Sequence, residues 1–123
     1  MQIQIHAADI TLTATLRDTP TARAIVAVLP IESRAQTWGE EVYFSVPVTA
    51  ELESDARDVV SAGELAFWVE GSCIAIGFGP TPISVGNEIR LAARTNIWAD
   101  SNDDGRQLAS VHAGDVIRVE RVT

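Results

Sequence analysis

The sequence predicts a mainly β fold, built as a closed barrel of about eight strands with one short helix. Over much of the chain, apolar residues alternate with polar ones, which is the period of a half-buried strand. Residues 73–78 are instead apolar on both faces, and the glycines and prolines of residues 77–82 end this run, so it predicts a central strand with a tightly specified exit loop. An open sheet of this size would expose its edges, and this favours closure.

Length and composition predict one globular domain over residues 1–123. With 46% hydrophobic residues, a chain of this length can bury a core. No window reaches the roughly 18 uninterrupted apolar residues of a membrane span, and the first residues alternate rather than forming a signal peptide, so we expect a cytoplasmic protein. The single cysteine, Cys73, excludes an intramolecular disulfide and is interpreted as a buried, unreactive thiol.

The charge of the chain excludes two classes of partner. The formal net charge is −8, and the nine basic residues are all arginines spread along the sequence. No basic stripe or tail is present to replace phosphate counterions, so neither nucleic acid nor an anionic membrane surface is expected as a partner. The acidic segment at residues 100–105 is interpreted as a surface loop that lacks the spacing of a calcium site, and no metal or cofactor is predicted.

The first part of the chain predicts a hairpin followed by the helix. Ile3 and Ile5, and then residues 10–16, alternate as two strands do. Thr19-Pro20 is a helix-start signal, with a hydroxyl N-cap before a proline at the first helical position. We expect this helix to run for about ten residues and to end at Pro30.

Three glycines in similar contexts predict turns that lead into strands. Gly63, Gly86 and Gly114 each precede a polar residue and then an apolar alternation, as a glycine with positive φ would. None of them has the spacing of a nucleotide-binding loop. The strands predicted in this half of the chain are a central hairpin at residues 65–69 and 73–78, a further pair at residues 89–91 and 95–99, and a last strand from residue 116.

The densest motif outside that hairpin is residues 38–47. In a strand at residues 41–46, the valines and the phenylalanine face one side, while Glu41, Tyr43 and Ser45 face the other. The period alone favours a solvated second face. The alternative is that Glu41 and Tyr43 receive a ligand.

Several segments together resemble one family. They are Leu29-Pro30, Trp38-Gly39-Glu40-Glu41-Val42-Tyr43-Phe44, Gly63-Glu64-Leu65-Ala66-Phe67-Trp68, Gly77-Phe78-Gly79-Pro80-Thr81-Pro82 and Gly114-Asp115-Val116-Ile117-Arg118-Val119-Glu120. Over nearly its whole length, the chain resembles the cyclophilin-like family of small bacterial and archaeal proteins. The resemblance implies an eight-stranded cyclophilin-type barrel, distantly related to the peptidyl-prolyl isomerases, and it brings no established activity.

We predict that this barrel binds a small molecule or a short peptide end. The predicted ligand-binding residues are Trp38, Glu41, Tyr43, Trp68, Phe78 and Thr81. Glu41 offers a hydrogen-bond acceptor and Tyr43 a donor, and the loop at residues 77–82 is expected to form the rim of the pocket. The alternative is that the aromatic residues belong to the core and that Glu41 is bonded by the backbone.

Two further functions are considered. The resemblance suggests peptidyl-prolyl isomerase activity, which in cyclophilins needs an apolar proline pocket and an arginine near the twisting amide. The Phe-His-Arg signature that supplies this arginine is absent, since neither histidine precedes an arginine, and Arg34, Arg90 and Arg94 are the candidates left. The other function is assembly, in which the aromatic residues anchor a homo-oligomer or another protein.

Overall fold

The computed structural model describes residues 1–122, and Thr123, which the predicted domain includes, lies outside the described residues. The elements in chain order are β1 (Gln2–Ala7), β2 (Ile10–Leu16), α1 (Pro20–Val26), β3 (Ile31–Arg34), β4 (Gln36–Thr37), β5 (Glu41–Ser45), β6 (Arg57–Val60), β7 (Glu64–Trp68), β8 (Cys73–Gly77), β9 (Ile89–Ser101), a 3-10 helix (Gly105–Ser110) and β10 (Val116–Val122).

Nine of these strands follow one another in an antiparallel sheet, which confirms the prediction of a mainly β fold. The strand order is β3-β10-β1-β2-β9-β7-β8-β5-β4, and the remaining strand, β6, pairs with β9. The described residues therefore contain ten strands rather than about eight. No helix among these residues is long and apolar enough to cross a membrane.

The prediction of a closed barrel is wrong, because the two ends of this strand order, β3 and β4, are not paired with each other. They are consecutive in the chain and are separated by Ala35. The Ala35 N–H donates to the Asp115 carbonyl, and the Ala35 carbonyl accepts from the Gly114 N–H, each at 2.8 Å. The chain thus steps from one edge to the other at Ala35. Closure is not needed to protect the edges, since β3 has four residues and β4 only two.

The predicted N-terminal hairpin and the helix start are confirmed, but the helix is shorter than expected. β1 pairs with β2, and the Thr19 hydroxyl accepts from the Ala22 N–H at the start of α1. The helix covers seven residues and ends at Val26. The following amides, from Val28 and Leu29, bond to carbonyls three residues earlier, so the last turn tightens before the proline is reached.

The turn glycines and the central hairpin are confirmed. Gly63, Gly86 and Gly114 have φ values of 88°, 62° and 94°. β7 pairs with β8, which lies between β7 and β5 and is buried along its whole length. Cys73 at the start of β8 is a buried free thiol, as predicted.

One prediction for the second half of the chain is wrong, because residues 89–101 form one long strand rather than two. The first part of β9 pairs with β6, and the later part pairs with β7 and β2. Both the β6 and β7 ladders contain a register irregularity, where a strand bends. The alternation is interrupted near residues 92–94 because the register irregularity of the β6–β9 ladder lies there, not because the chain reverses.

Apolar residues pack on both faces of the sheet around β7 and β8. The larger core includes Phe44, Phe67 and Trp98, all fully buried. Side chains that point the other way, such as Ala66 and Ala75, pack in a smaller cluster with Ile89 and Leu91 from the first part of β9. β9 therefore covers a face that a simple two-layer fold would leave to solvent.

Candidate functional site

A cavity of about 190 Å³ lies beside the smaller apolar cluster, between β9 and the outer face of β5, β7 and β8. Its wall is formed by Trp38, Glu41, Tyr43, Trp68, Cys73, Ala75, Leu91, Ala92, Ala93 and Thr95. Cavities that bind drug-sized ligands usually measure about 300–1,000 Å³. This cavity is smaller, so it fits a molecule about the size of one substituted ring rather than several residues of a peptide.

Glu41 is the polar group that distinguishes this cavity. Glu41 is only 6% exposed, and its Oε1 has no hydrogen-bond partner. Within residues 1–122 it is the one buried side-chain nitrogen or oxygen in this condition. Burial raises the pKa of Glu41 to about 7. Because buried polar atoms are nearly always hydrogen-bonded, this orphaned oxygen calls for a functional explanation.

The burial of Glu41 overturns two expectations drawn from the sequence. The alternation of β5 favours a solvated face, but the first part of β9 covers that face, and Tyr43 is also partly buried. The other expectation is a carboxyl bonded by the backbone, and no such bond reaches Oε1.

Glu64, the other buried glutamate, shows what a satisfied carboxyl looks like in this fold. Its Oε2 accepts from Arg17 at 3.0 Å and from Arg57 at 2.6 Å, and its Oε1 accepts from the Ser61 N–H at 2.7 Å. Burial raises the pKa of Glu64, but these hydrogen bonds outweigh burial, so the pKa lies below its ordinary value. Glu41 is at least as deeply buried, and its Oε1 has no such hydrogen bonds.

The turn between β4 and β5 places Trp38 beside Glu41. The Trp38 N–H donates to the Glu41 carbonyl at 3.0 Å, and the two residues of the turn are Gly39 and Glu40. Gly39 has φ of +59°, as the first central residue of a type II′ hairpin turn does. A Cβ at Gly39 would lie 2.8 Å from Pro82 Cδ, so the turn packs directly on the loop that follows β8.

Gly39→Ala is expected to lower the free energy of unfolding by about 2–3 kcal/mol. The positive φ is unfavourable for alanine, and the new methyl group would also clash with the neighbouring loop. Gly86→Ala is the matched control. Its φ is +62°, yet a Cβ there meets nothing within 4 Å, so only the conformational cost of about 1 kcal/mol applies. Urea unfolding measures both variants, and equal losses would contradict the packing of the loop on Gly39.

Trp68 and Cys73 form another part of the wall. They are register partners across β7 and β8. The Trp68 ring lies against Gly71, where a Cβ would overlap the ring, and Cys73 Sγ donates to the Gly71 carbonyl at 3.3 Å. Gly71 therefore leaves the space that the indole ring occupies at this end of the cavity.

Four of the six predicted site residues lie together on the cavity wall, and the other two do not. The four are Trp38, Glu41, Tyr43 and Trp68. Phe78 packs against the larger core. Thr81 is buried, and its hydroxyl donates to the Arg90 carbonyl and bonds with Ser84 Oγ, so it holds the loop together.

The loop at residues 77–82 does not form the rim of the cavity, because none of its residues lines the wall. The Phe78 N–H donates to the Glu40 carbonyl at 2.8 Å, and the Glu40 N–H donates to the Pro80 carbonyl at 3.1 Å. The loop is thus hydrogen-bonded directly to the turn that follows Trp38.

The sequence interpretation missed the part of the wall that β9 contributes. These residues are Leu91, Ala92, Ala93 and Thr95, and Cys73 and Ala75 from β8 were missed as well. A signal was available in the two successive alanines, since small side chains in the middle of a strand leave space beside it. Recognising that space required knowledge of the bend in β9.

The arginines considered for isomerase chemistry lie elsewhere. None of Arg34, Arg90 and Arg94 lines the cavity. Arg90 donates to the carboxylates of Glu88 and Asp58, while Arg34 and Arg94 donate to backbone carbonyls. Among the described residues there is also no group of three or more His, Cys, Asp or Glu side chains placed to hold a metal ion.

An open antiparallel sheet with a small cavity beneath one bent strand defines the structural class of the protein. The chain matches the cyclophilin-like family over residues 1–120, and it belongs to that family. This confirms the resemblance inferred from the motifs. No match was found among curated proteins.

Solved structures of other proteins share this fold, and two of them are similar to nearly the whole of this chain. The solution structure of the hypothetical protein AF2241 from Archaeoglobus fulgidus has a TM-score of 0.84 and 36% identity, over 99% of this chain and 95% of that one. The structure of McbB in complex with tryptophan has a TM-score of 0.71 and 17% identity, over 98% of this chain. The match covers 46% of McbB, so this chain spans about half of McbB, and at that identity the likeness shows the fold alone.

Proposed function

We propose that this protein binds a small molecule in the cavity lined by Trp38, Glu41, Tyr43 and Trp68. The observation that carries the proposal is the buried Glu41 Oε1 without a hydrogen-bond partner. Leaving such an atom unpaired costs about 1–3 kcal/mol, and a ligand that donates a hydrogen bond to it recovers that cost. Oriented binding in a small apolar cavity needs only a few such polar contacts.

The rest of the wall supports the same function. Aromatic and small aliphatic side chains surround Glu41, and they offer apolar contact to a flat or compact ligand. The volume of about 190 Å³ favours a small molecule over a peptide end. Isomerase activity lacks comparable support, because no arginine lines the cavity.

A thermal-shift screen against small metabolites tests this function, since a ligand that binds only the folded state raises the melting temperature. Tryptophan belongs in the screen because McbB, which shares the fold, was solved in complex with it. We expect at least one small molecule to raise the melting temperature and to bind with a 1:1 stoichiometry by calorimetry.

A variant that fills the cavity makes the screen specific. Ala93 lies on the wall and is partly exposed, so Ala93→Leu is expected to abolish binding without disturbing the larger core. Ala62→Leu is the control, because Ala62 is exposed and lies outside the wall. If the Ala93 variant retains full binding, the ligand sits elsewhere and the proposed site is wrong.

A further inference from the structure

We infer that the ligand is a small organic ammonium ion, whose charged nitrogen donates to Glu41 and whose carbon skeleton packs against Trp38, Tyr43 and Trp68. This inference rests on the proposed function and deepens it by naming the chemical class of the ligand. It follows from the charges, the aromatic wall and the size of the cavity.

The charges on the wall favour a cation over an anion. Glu41 is the one carboxyl there, and no arginine or histidine lines the cavity; the chain has no lysine. An anionic ligand would lie beside the Glu41 carboxyl group, and no basic side chain on the wall would neutralise the charge of the ligand. An ammonium group brings up to three N–H donors, and its hydrogen bonds to a carboxylate are stronger than those between neutral groups.

The aromatic side chains point to the same class of ligand. Two tryptophans and one tyrosine lie on the wall together with the carboxyl. Aromatic rings attract a cation through their π faces, most strongly for tryptophan, and aromatic cages are used to recognise quaternary ammonium ligands. A purely apolar ligand would use the rings but would leave Glu41 Oε1 unpaired.

The net charge of the chain and the volume of the cavity favour the same class of ligand. The net charge of −8 raises the local concentration of cations around the protein. The volume of about 190 Å³ limits the carbon skeleton to about one ring with a short side chain. An arylalkylamine therefore meets both conditions.

The experiment compares three probes that share one skeleton and differ in charge: phenethylammonium, the neutral 2-phenylethanol and the anionic 3-phenylpropionate. Binding is followed by the fluorescence of Trp38 and Trp68 on the wall, while Trp98 is fully buried in the larger core and serves as a constant background. At pH 8 we expect phenethylammonium to bind at least about tenfold more tightly than 2-phenylethanol, and 3-phenylpropionate to bind least.

The same titrations in Glu41→Gln identify the group that recognises the charge. The preference for phenethylammonium over 2-phenylethanol should disappear, because the amide has no charge to pair with the ligand. Trp38→Leu is a second variant, at a partly exposed position. It is expected to lower the affinity for phenethylammonium by about threefold to tenfold more than it lowers the affinity for 2-phenylethanol. Calorimetric melting of each variant confirms that it is folded.

A pH series adds a readout that a merely structural role of Glu41 would not move. Ionisation of Glu41 around pH 7 should raise the affinity for phenethylammonium about tenfold between pH 6 and pH 8. The amine itself keeps its proton until about pH 10, as lysine does. The other titratable groups on the wall are Tyr43 of β5 and Cys73 of β8, while β7 and β9 contribute none. The pH dependence should therefore vanish in Glu41→Gln.

The outcomes separate this inference from the proposed function. Equal or tighter binding of 2-phenylethanol or 3-phenylpropionate in the wild type would overturn the ammonium class while leaving a ligand-binding cavity in place. An ammonium preference that survives unchanged in Glu41→Gln would also overturn it. Failure of all three probes and of the whole metabolite screen would remove the proposed function as well.

Discussion

Replacing Glu41 with glutamine is expected to stabilise the ligand-free protein at pH 8 and to change its stability little at pH 4. Burial raises the pKa of Glu41 from 4.5 to about 7, so between these values the folded protein binds more protons than the unfolded chain does. The free energy of unfolding therefore falls as the pH rises through this interval. Glutamine does not ionise and avoids this loss.

The expected effect is large for a single conservative substitution. A pKa rise of this size corresponds to about 3 kcal/mol of stability, which is fully present below pH 4.5 and is lost as the pH rises through 7. For a protein of this length, the melting temperature of Glu41→Gln at pH 8 should exceed that of the wild type by roughly 10 °C. The measurement is the difference between variant and wild type in chemical unfolding at several pH values, which cancels the titration of all other groups.

Glu64→Gln is the matched control, and it should behave in the opposite way. The Glu64 pKa is lowered by its bonds, so this carboxylate contributes stability above its ordinary pKa and loses it as the pH falls. We expect a loss of about 2 kcal/mol at pH 8, moderated by the partial exposure of Arg17 and Arg57, and a smaller loss toward pH 4. If Glu41→Gln is also destabilised at pH 8, Glu41 has a partner in solution and is not an orphaned group.

Asn96→Ala is expected to lower the free energy of unfolding by about 3 kcal/mol, the largest loss among the polar substitutions considered. Asn96 is fully buried on β9. Its Nδ2 donates to Thr21 Oγ1 at 2.9 Å and to the Glu51 carbonyl at 2.8 Å, and its Oδ1 accepts from the Glu53 N–H at 2.8 Å. Removal of this amide leaves several buried groups unpaired and detaches the segment before β6 from β9.

The control for Asn96→Ala is the same substitution at Asn102. The Asn102 side chain accepts from the Thr15 hydroxyl at 3.2 Å on the exposed surface, and water can replace that bond. We expect a loss within about 0.5 kcal/mol there. Urea unfolding at pH 7 compares the two variants, and comparable losses would show that the Asn96 bonds do not hold this segment in place.

Local sequence patterns predicted most strands, turns and the helix start well, because the interactions that determine these features lie within a few residues. Thr19 caps α1 through a residue three positions away, and Gly63 turns the chain through its own φ. The alternation of β5 also separated Phe44 from Glu41 correctly, since neighbouring residues in a strand must face opposite sides.

The sequence left the environment of each face undetermined. Whether the Glu41 side of β5 meets water or protein depends on Leu91 and its neighbours, about 50 residues later, and on a bend that no short pattern encodes. Distance along the chain also hid the role of Glu53, whose N–H donates to Asn96 Oδ1 and whose carboxylate accepts from the Thr21 hydroxyl. Such contacts are fixed by tertiary packing, so alternation and spacing could not indicate them.

The position of β10 between β1 and β3 has a consequence for how the chain folds. These two strands come from the first third of the sequence, and neither can complete its hydrogen bonding until residues 116–122 arrive. A loop that spans most of the chain must close before these strands can form their hydrogen bonds. The entropy cost of closing this loop slows folding relative to proteins built from local contacts. During synthesis both edges of the N-terminal hairpin therefore stay unpaired until β9 is made, and the β1 edge stays unpaired until β10 is made.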